Sequence, residues 1–229
     1  MPVNAEADQL NDRIILITGA ARGIGASVAH ACAAQGATVI LLDKNLKGLE
    51  TVYDEIEQSS GITPAIYPLD LKGATLPDYQ QLADTISEQF GRLDGLIHCA
   101  ASLGQLAPVE HQDNKTWLET LHINLTAAYL LTQACLPLLK QQAGSQIIFS
   151  TDNHSHKAYW GAYGISKAGI EAYAAQLADE LEAQGNVHVQ CIDPGAVQTE
   201  FYARAFPAAD PSHLPEPPAV APQYVACFL

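Results

Sequence analysis

Tyr163 and Lys167 stand four residues apart in the run AYGISKAG, and side chains at that spacing on a helix share one face and can approach one ligand. A phenol beside an ammonium is an acid–base couple. For Tyr to trade a proton near neutral pH, its pKa must fall by about three from its ordinary value near 10, which is roughly 4 kcal/mol. An ammonium about 4 Å away at an effective dielectric near 20 supplies a comparable energy, so Lys167 is sufficient to tune Tyr163. The chemistry on offer is proton exchange with an alcohol. Taken alone, the motif also fits a helix that buries Tyr in a core and leaves Lys in water.

A second feature with chemistry in it is TGAARGIG, Thr18 to Gly25, which lies between a β-branched run and a helical one. In that context glycines serve a dinucleotide: Gly19 permits a tight turn, Gly23 clears room for a pyrophosphate against the backbone, and Gly25 lets the helix pack on the strand. The helix N-terminus then adds oriented N–H groups. An ordinary strand-to-helix turn could use the same glycines. Asp43 closes the next strand, eighteen residues after Gly25, where an acid accepts hydrogen bonds from adenosine ribose hydroxyls and repels a 2′-phosphate. This favours NAD(H) over NADP(H), although Lys44 and Arg22 lie close enough in sequence to attract a phosphate.

The elements that must position these residues alternate along the chain. Short β-branched runs (RIILIT, ATVILLD, ITPAIYPLD, LDGLIHCA, SQIIFS and VHVQCID) are separated by stretches of helical period, the pattern of βαβ units feeding a parallel sheet. The helical stretches run over 23–35, 45–58, 75–90, 114–141 and 162–183. The longest places Asn124, a poor helix former, near its middle. After Pro194 the density of proline predicts an irregular loop. Neither an internal repeat nor an interdomain linker is visible, so residues 1–229 read as a single domain.

Composition agrees with a small-molecule ligand. The chain has 229 residues, 48% of them hydrophobic, enough for one large core. A net charge of -14 argues against nucleic acid and against anionic membranes, both of which need clustered Lys and Arg. The five cysteines are odd in number, widely spaced and without a CxxC pair, which predicts reduced thiols and a cytoplasmic setting. The N-terminal run MPVNAEADQLNDR carries acids where a leader peptide needs a basic and then an apolar region. No stretch is long enough to span a bilayer. His154 and His156 lack a third ligand at suitable spacing, so no metal site is expected and contact with a polar substrate is favoured. His98, at a strand end, reads as a hydrogen-bonded structural residue.

With TG at its start and GIG at its end, the glycine loop resembles the cofactor loop of the short-chain dehydrogenase/reductase family, and the resemblance continues to residue 199. It implies an α/β, Rossmann-like, doubly wound parallel sheet with helices on both faces. It also implies a dinucleotide site formed by Gly19, Arg22, Gly23, Ile24, Gly25, Asp43, Asp70, Leu71, Ala100, Tyr163, Lys167, Pro194, Gly195, Val197 and Thr199. Ser150, thirteen residues before Tyr163, matches the family's serine, whose hydroxyl would orient the substrate oxygen. Asn124 matches the family's asparagine, which anchors a water in a proton relay to the lysine. By this resemblance Tyr163 is the general acid/base, Lys167 holds the ribose and lowers the tyrosine pKa, and hydride passes between nicotinamide and a secondary alcohol or ketone.

The resemblance further implies a homodimer or homotetramer and a substrate lid over about residues 196–215, lined here by Phe201, Tyr202 and Phe206. The alternative is a catalytically silent dinucleotide-sensing or scaffold protein of the same fold. Such proteins usually lose the tyrosine or the lysine, and here all four catalytic positions are filled. Three departures from the family pattern stand out. His98, Cys99, Ala100 and Ala101 replace its NNAG, Asn153 replaces a common glycine, and the chain reaches Leu229 without the family's final strand.

Overall fold

The computed structural model describes residues 9–229; the acidic N-terminal run falls mostly in residues 1–8, outside the described residues. Six strands are found: β1 (Ile14–Thr18), β2 (Thr38–Asp43), β3 (Ala65–Pro68), β4 (Gly95–His98), β5 (Ser145–Ser150) and β6 (Val187–Ile192). They form one parallel sheet in the order β3-β2-β1-β4-β5-β6. The order reverses beside β1, so a crevice opens at the carboxyl ends of β1 and β4.

Alternation along the strands sorts the core into two layers. Ile14, Leu16, Leu96, Ile147 and Phe149 face a layer built from α3 (Leu76–Phe90), α5 (Ala127–Leu139) and α6 (Gly161–Glu182). Ile15, Ile17, Ile97 and Ile148 face α1 (Gly23–Ala34), α2 (Leu46–Ser60) and the chain's last turns. Both faces are therefore covered, which is why these strands read as continuous apolar runs rather than alternating ones. The N-terminal edge is pinned by Asp94, which is fully buried and accepts from Ile14 N at 2.9 Å and from the Arg92 guanidinium at 2.9 and 2.6 Å.

The structure departs from the sequence reading in three places. β3 is shorter than ITPAIYPLD because its prolines cannot extend the ladder, and it sits at the sheet edge, where Pro68 is tolerated. The stretch 114–141 is not one helix. It is α4 (Asn114–Leu121), a π-helical turn over His122–Thr126 that contains Asn124, and then α5. Beyond Pro194 the chain is not wholly irregular: α7 (Glu200–Ala205), α8 (Pro217–Val220) and α9 (Pro222–Val225) form. Pro217 and Pro222 begin their helices, where a missing N–H costs nothing. At the far edge β6 pairs only with β5 and is mostly exposed along one side.

Candidate active site

The glycine loop bridges the end of β1 to the start of α1 at the crevice. Gly19 has φ +70°, and a Cβ there would lie 2.9 Å from the backbone of Ala100. That contact brings the segment after β4 against the loop. Ala100 N donates to Thr18 Oγ1 at 3.1 Å, so the His98–Ala101 stretch still packs on the loop although it lacks the expected asparagine and glycine. A Cβ on Gly25 would come within 2.8 Å of the Gly19 carbonyl carbon, which explains the close approach of α1. Gly23 has φ +59°, and its nearest neighbour on the Cβ side is Thr199 Cγ2 at 3.8 Å.

Helix α1 follows Arg22 at its N-cap, without a side-chain cap and without an acid in its first turn. Its first N–H groups are thus free to meet an anion, and the residues present fit a dinucleotide pyrophosphate. Asp43 ends β2 half-buried, with Oδ1 accepting from Asn45 N at 2.9 Å. Asp70 is exposed just past β3 and Leu71 reaches inward below it. On the other side of the crevice, Gly195 has φ +70° and its N–H donates to Asp193 Oδ1 at 2.8 Å. Pro194 is half-buried, Val197 is buried, and Thr199 caps α7 by accepting from Tyr202 N at 3.1 Å. Arg22 and Glu200, both exposed, form an ion pair that ties the loop to α7.

Tyr163 and Lys167 share the face of α6 that looks into this crevice. Tyr163 is 4% exposed and Lys167 is 6% exposed, with Nζ 5.7 Å from the phenol ring centroid. Nζ donates to the Ser150 carbonyl at 2.5 Å. Burial lowers the Lys167 pKa. The Tyr163 pKa is pushed up, by burial first and then by the carboxylate of Asp152. The lowering expected from Lys167 is not what this site shows: burial dominates, and the Asp152 carboxylate adds to it.

The residue at the Tyr163 hydroxyl is Asp152: the phenol donates to Oδ2 at 2.9 Å. The sequence reading gave Ser150 to the substrate oxygen and named no acid as a partner for the phenol. Ser150 shares Ile148's parity on β5, so its hydroxyl turns toward the α1 layer. There it lies 2.7 Å from the buried Tyr224 hydroxyl and 3.5 Å from Cys99 Sγ. The other oxygen of Asp152, Oδ1, is held by His154 twice, through its backbone N–H at 2.8 Å and its ring Nδ1. His154 packs tilted against Trp160 with centroids 3.9 Å apart. Neither Asp152 nor this use of His154 was expected. The one sign of it in the sequence is an acid within the short link between β5 and α6.

Asn124 is 5% exposed and fully engaged: Oδ1 accepts from Ser102 N at 2.7 Å, and Nδ2 donates to Ser102 O at 2.9 Å and to Ser166 Oγ at 3.0 Å. The side chain thus clamps the π-helical turn to α6 and to the loop after β4. Thr18, His98, Asn124, Ser150 and Lys167 surround a cavity of about 10 Å³, close to the least space that holds one water. His98 is structural, as its position suggested. It is buried, stacks on Phe149 at 4.8 Å and meets Thr132 Oγ1 at 2.9 Å. Burial, aided by Lys167, holds its pKa down to about 3, so the ring is neutral.

The segment expected to form a lid brings aromatic rings to the site. Phe201 lies 5.2 Å from the Tyr163 ring, Phe206 lies 5.7 Å from Trp160, and Tyr202 packs on Phe206 at 4.8 Å. Together they roof the phenol with apolar surface while Asp152 and His154 form its polar rim. Among the described residues no cluster of His, Cys, Asp or Glu could hold a metal. No described helix is long and apolar enough to cross a membrane.

Residues 13–210 match the family model for short chain dehydrogenase. The chain is 41% identical over 227 residues to the uncharacterized oxidoreductase YciK of Escherichia coli (strain K12), covering 98% of this chain and 89% of that protein. It is 32% identical over 200 residues to D-threitol dehydrogenase of Mycolicibacterium smegmatis, covering 86% of this chain and 75% of that protein. A short chain dehydrogenase of Shigella flexneri 2a, solved in complex with NADP, superposes with a TM-score of 0.94 at 40% identity, covering 96% of this chain and 92% of that one. The chain belongs to the short-chain dehydrogenase family of oxidoreductases that use a nicotinamide dinucleotide.

Proposed function

We propose that this protein interconverts a secondary alcohol and its carbonyl partner, with Tyr163 exchanging the hydroxyl proton. The observation that carries the reading is the placement of one buried phenol, with Lys167 beside it, under an aromatic roof at the sheet end that bears the uncapped glycine loop. When bound there, the nicotinamide supplies or accepts the hydride. The glycine loop and the N-terminus of α1 would hold the pyrophosphate, Asp43 the adenosine ribose, and the Gly195–Thr199 segment the nicotinamide end. Lys167 would hold the nicotinamide ribose, and Asn124 keeps the π-helical turn and the cavity beneath Lys167 in shape. Phe201 and Phe206 exclude water and favour a substrate with an apolar portion.

Asp43 supports NAD(H) as the preferred cofactor, since a 2′-phosphate would approach its carboxylate while Arg22 is engaged by Glu200. The Shigella relative's complex with NADP favours the other reading, in which Arg22 leaves Glu200 for the phosphate. Titrating NAD and NADP separately decides between them, and tighter NADP binding would refute the NAD assignment. We further propose a cytoplasmic homodimer or homotetramer. Leu118, Tyr129 and Ile165 leave apolar surface exposed on α4, α5 and α6, and light scattering that gives a monomer would contradict it.

The functional test is a screen of secondary alcohols and ketones that includes D-threitol, followed by Tyr163→Phe with the best substrate. Turnover should disappear while dinucleotide binding persists. Undiminished turnover would remove Tyr163 from the chemistry, and dinucleotide binding without any turnover would favour the silent sensor.

A further inference from the structure

We infer that Asp152 is a catalytic residue that exchanges the proton of Tyr163, with His154 as the residue that positions its carboxylate. This inference rests on the hydride-transfer reading and adds a group to it. Geometry carries it. Tyr163 donates to Oδ2 at 2.9 Å, and both hydrogen bonds from His154 fall on Oδ1, so the carboxylate is fixed with one oxygen aimed at the phenol. The Asp152 side chain is 24% exposed, so a proton received there reaches water. The imidazole is fixed in turn by Trp160 at 3.9 Å and Phe206 at 6.0 Å. Ser150 is withdrawn to Tyr224, which leaves Asp152 as the hydrogen-bonding partner of the phenol.

The step balances as follows in the oxidative direction. The substrate O–H bond breaks and its proton passes to Tyr163 Oη, while the phenol's own proton moves to Asp152 Oδ2. The carbon's hydride leaves to the oxidised dinucleotide, and Asp152 later gives its proton to water. The products are the carbonyl compound, the reduced dinucleotide and one proton. Tyr163 thus stays a phenol before and after the step. That removes the need for a free tyrosinate, which burial and the Asp152 charge disfavour. The other titratable groups around this centre are Lys167 on α6, Asp193 after β6, and Cys99 and Cys191 on the far side of Lys167.

The substrate-free test follows Tyr163 ionisation as tyrosinate absorbance, each protein read against its own Tyr163→Phe counterpart. Asp152→Asn should lower the Tyr163 midpoint by at least about one pH unit, because an anion has been replaced by a neutral amide of the same shape. An unmoved midpoint overturns the assignment. With the alcohol that the screen identifies, Asp152→Asn should lose about a hundredfold in kcat/KM and lose the carboxylate's limb from the pH profile, because burial still opposes a free tyrosinate. His154→Gln should lose less and keep the wild-type shape of the profile. A profile for Asp152→Asn superimposable on wild type overturns the inference while leaving Tyr163 in place. Turnover in Tyr163→Phe instead removes the functional reading beneath it.

Discussion

The two inner glycines of the cofactor loop should fail in different ways, and the geometry sets the sizes. In Gly25→Ala the new methyl meets the Gly19 carbonyl carbon at 2.8 Å, several tenths of an ångström inside ordinary contact. Because that neighbour is backbone, α1 and the loop must part. Overpacking of this kind costs about 1–3 kcal/mol, and for a chain of this size each kcal/mol lowers Tm by about 2–4 °C. Gly23→Ala meets nothing closer than Thr199 Cγ2 at 3.8 Å, but φ is +59°, so the left-handed backbone costs about 1–2 kcal/mol. Its methyl points into the gap between the loop and α7, where a pyrophosphate would approach. Gly23→Ala should therefore weaken dinucleotide binding by tenfold or more, about 1.4 kcal/mol, with only a modest fall in Tm. Gly25→Ala should lose more stability. Calorimetric titration with NAD and NADP, paired with thermal unfolding of both variants, checks this. A Gly23→Ala protein that binds both dinucleotides with wild-type affinity would refute the placement of the pyrophosphate.

Three further outcomes follow from the same geometry. Ser150→Ala should cost stability, about 1–3 kcal/mol for the buried Tyr224 hydroxyl it strands, and should change kcat by less than about tenfold. A hundredfold loss in kcat with unchanged Tm would return Ser150 to the role of oxyanion donor. Asp94→Asn should destabilise by roughly 3 kcal/mol, since Arg13 and Arg92 lose the buried carboxylate they share. Specific activity of the folded protein should hold, because Asp94 lies at the sheet end opposite the crevice. His98 is held neutral, with its pKa down to about 3 against an ordinary 6.5. The unfolded chain therefore binds the extra proton between those values, and stability is full above pH 6.5 and falls as pH drops toward 3. The slope is on the order of 1.4 kcal/mol per pH unit in that window. Urea unfolding of wild type and His98→Gln at pH 4, 5, 6 and 7 should show a shallower loss in the variant, and equal slopes would refute the contribution.

What the sequence disclosed and what it hid follow from how each feature is encoded. The strands and main helices are written in local periodicity, so β1, β2, β4, β5 and β6 and the parallel sheet were legible. Tyr163 and Lys167 were legible for the same reason: a four-residue spacing on a helix fixes a shared face whatever the tertiary contacts. The π-helical turn at Asn124 has no local period of its own. It depends on Asn124 reaching Ser102 and Ser166 across the fold, which a single segment cannot reveal. Two of the three short C-terminal helices, α8 and α9, were masked by their own prolines, because composition counts Pro against a helix while position at the first turn favours it.

Ser150 was legible as the end of β5, whereas the partner of its hydroxyl was not, because that depends on Tyr224 from across the fold. Parity along β5 sets its direction. Ile147 and Phe149 face the α6 layer, Ile148 faces the α1 layer, and Ser150 falls with Ile148. Its hydroxyl accordingly meets Tyr224 and Cys99. Side chains past the end of the strand are free of that alternation. Asp152, eleven residues from Tyr163 rather than thirteen, is where the link turns back toward the helix. The short link therefore presents an acid to the Tyr163 hydroxyl. A carboxylate accepts hydrogen bonds and donates none until it is protonated, so any chemistry at Tyr163 must first settle which of the two groups carries the proton.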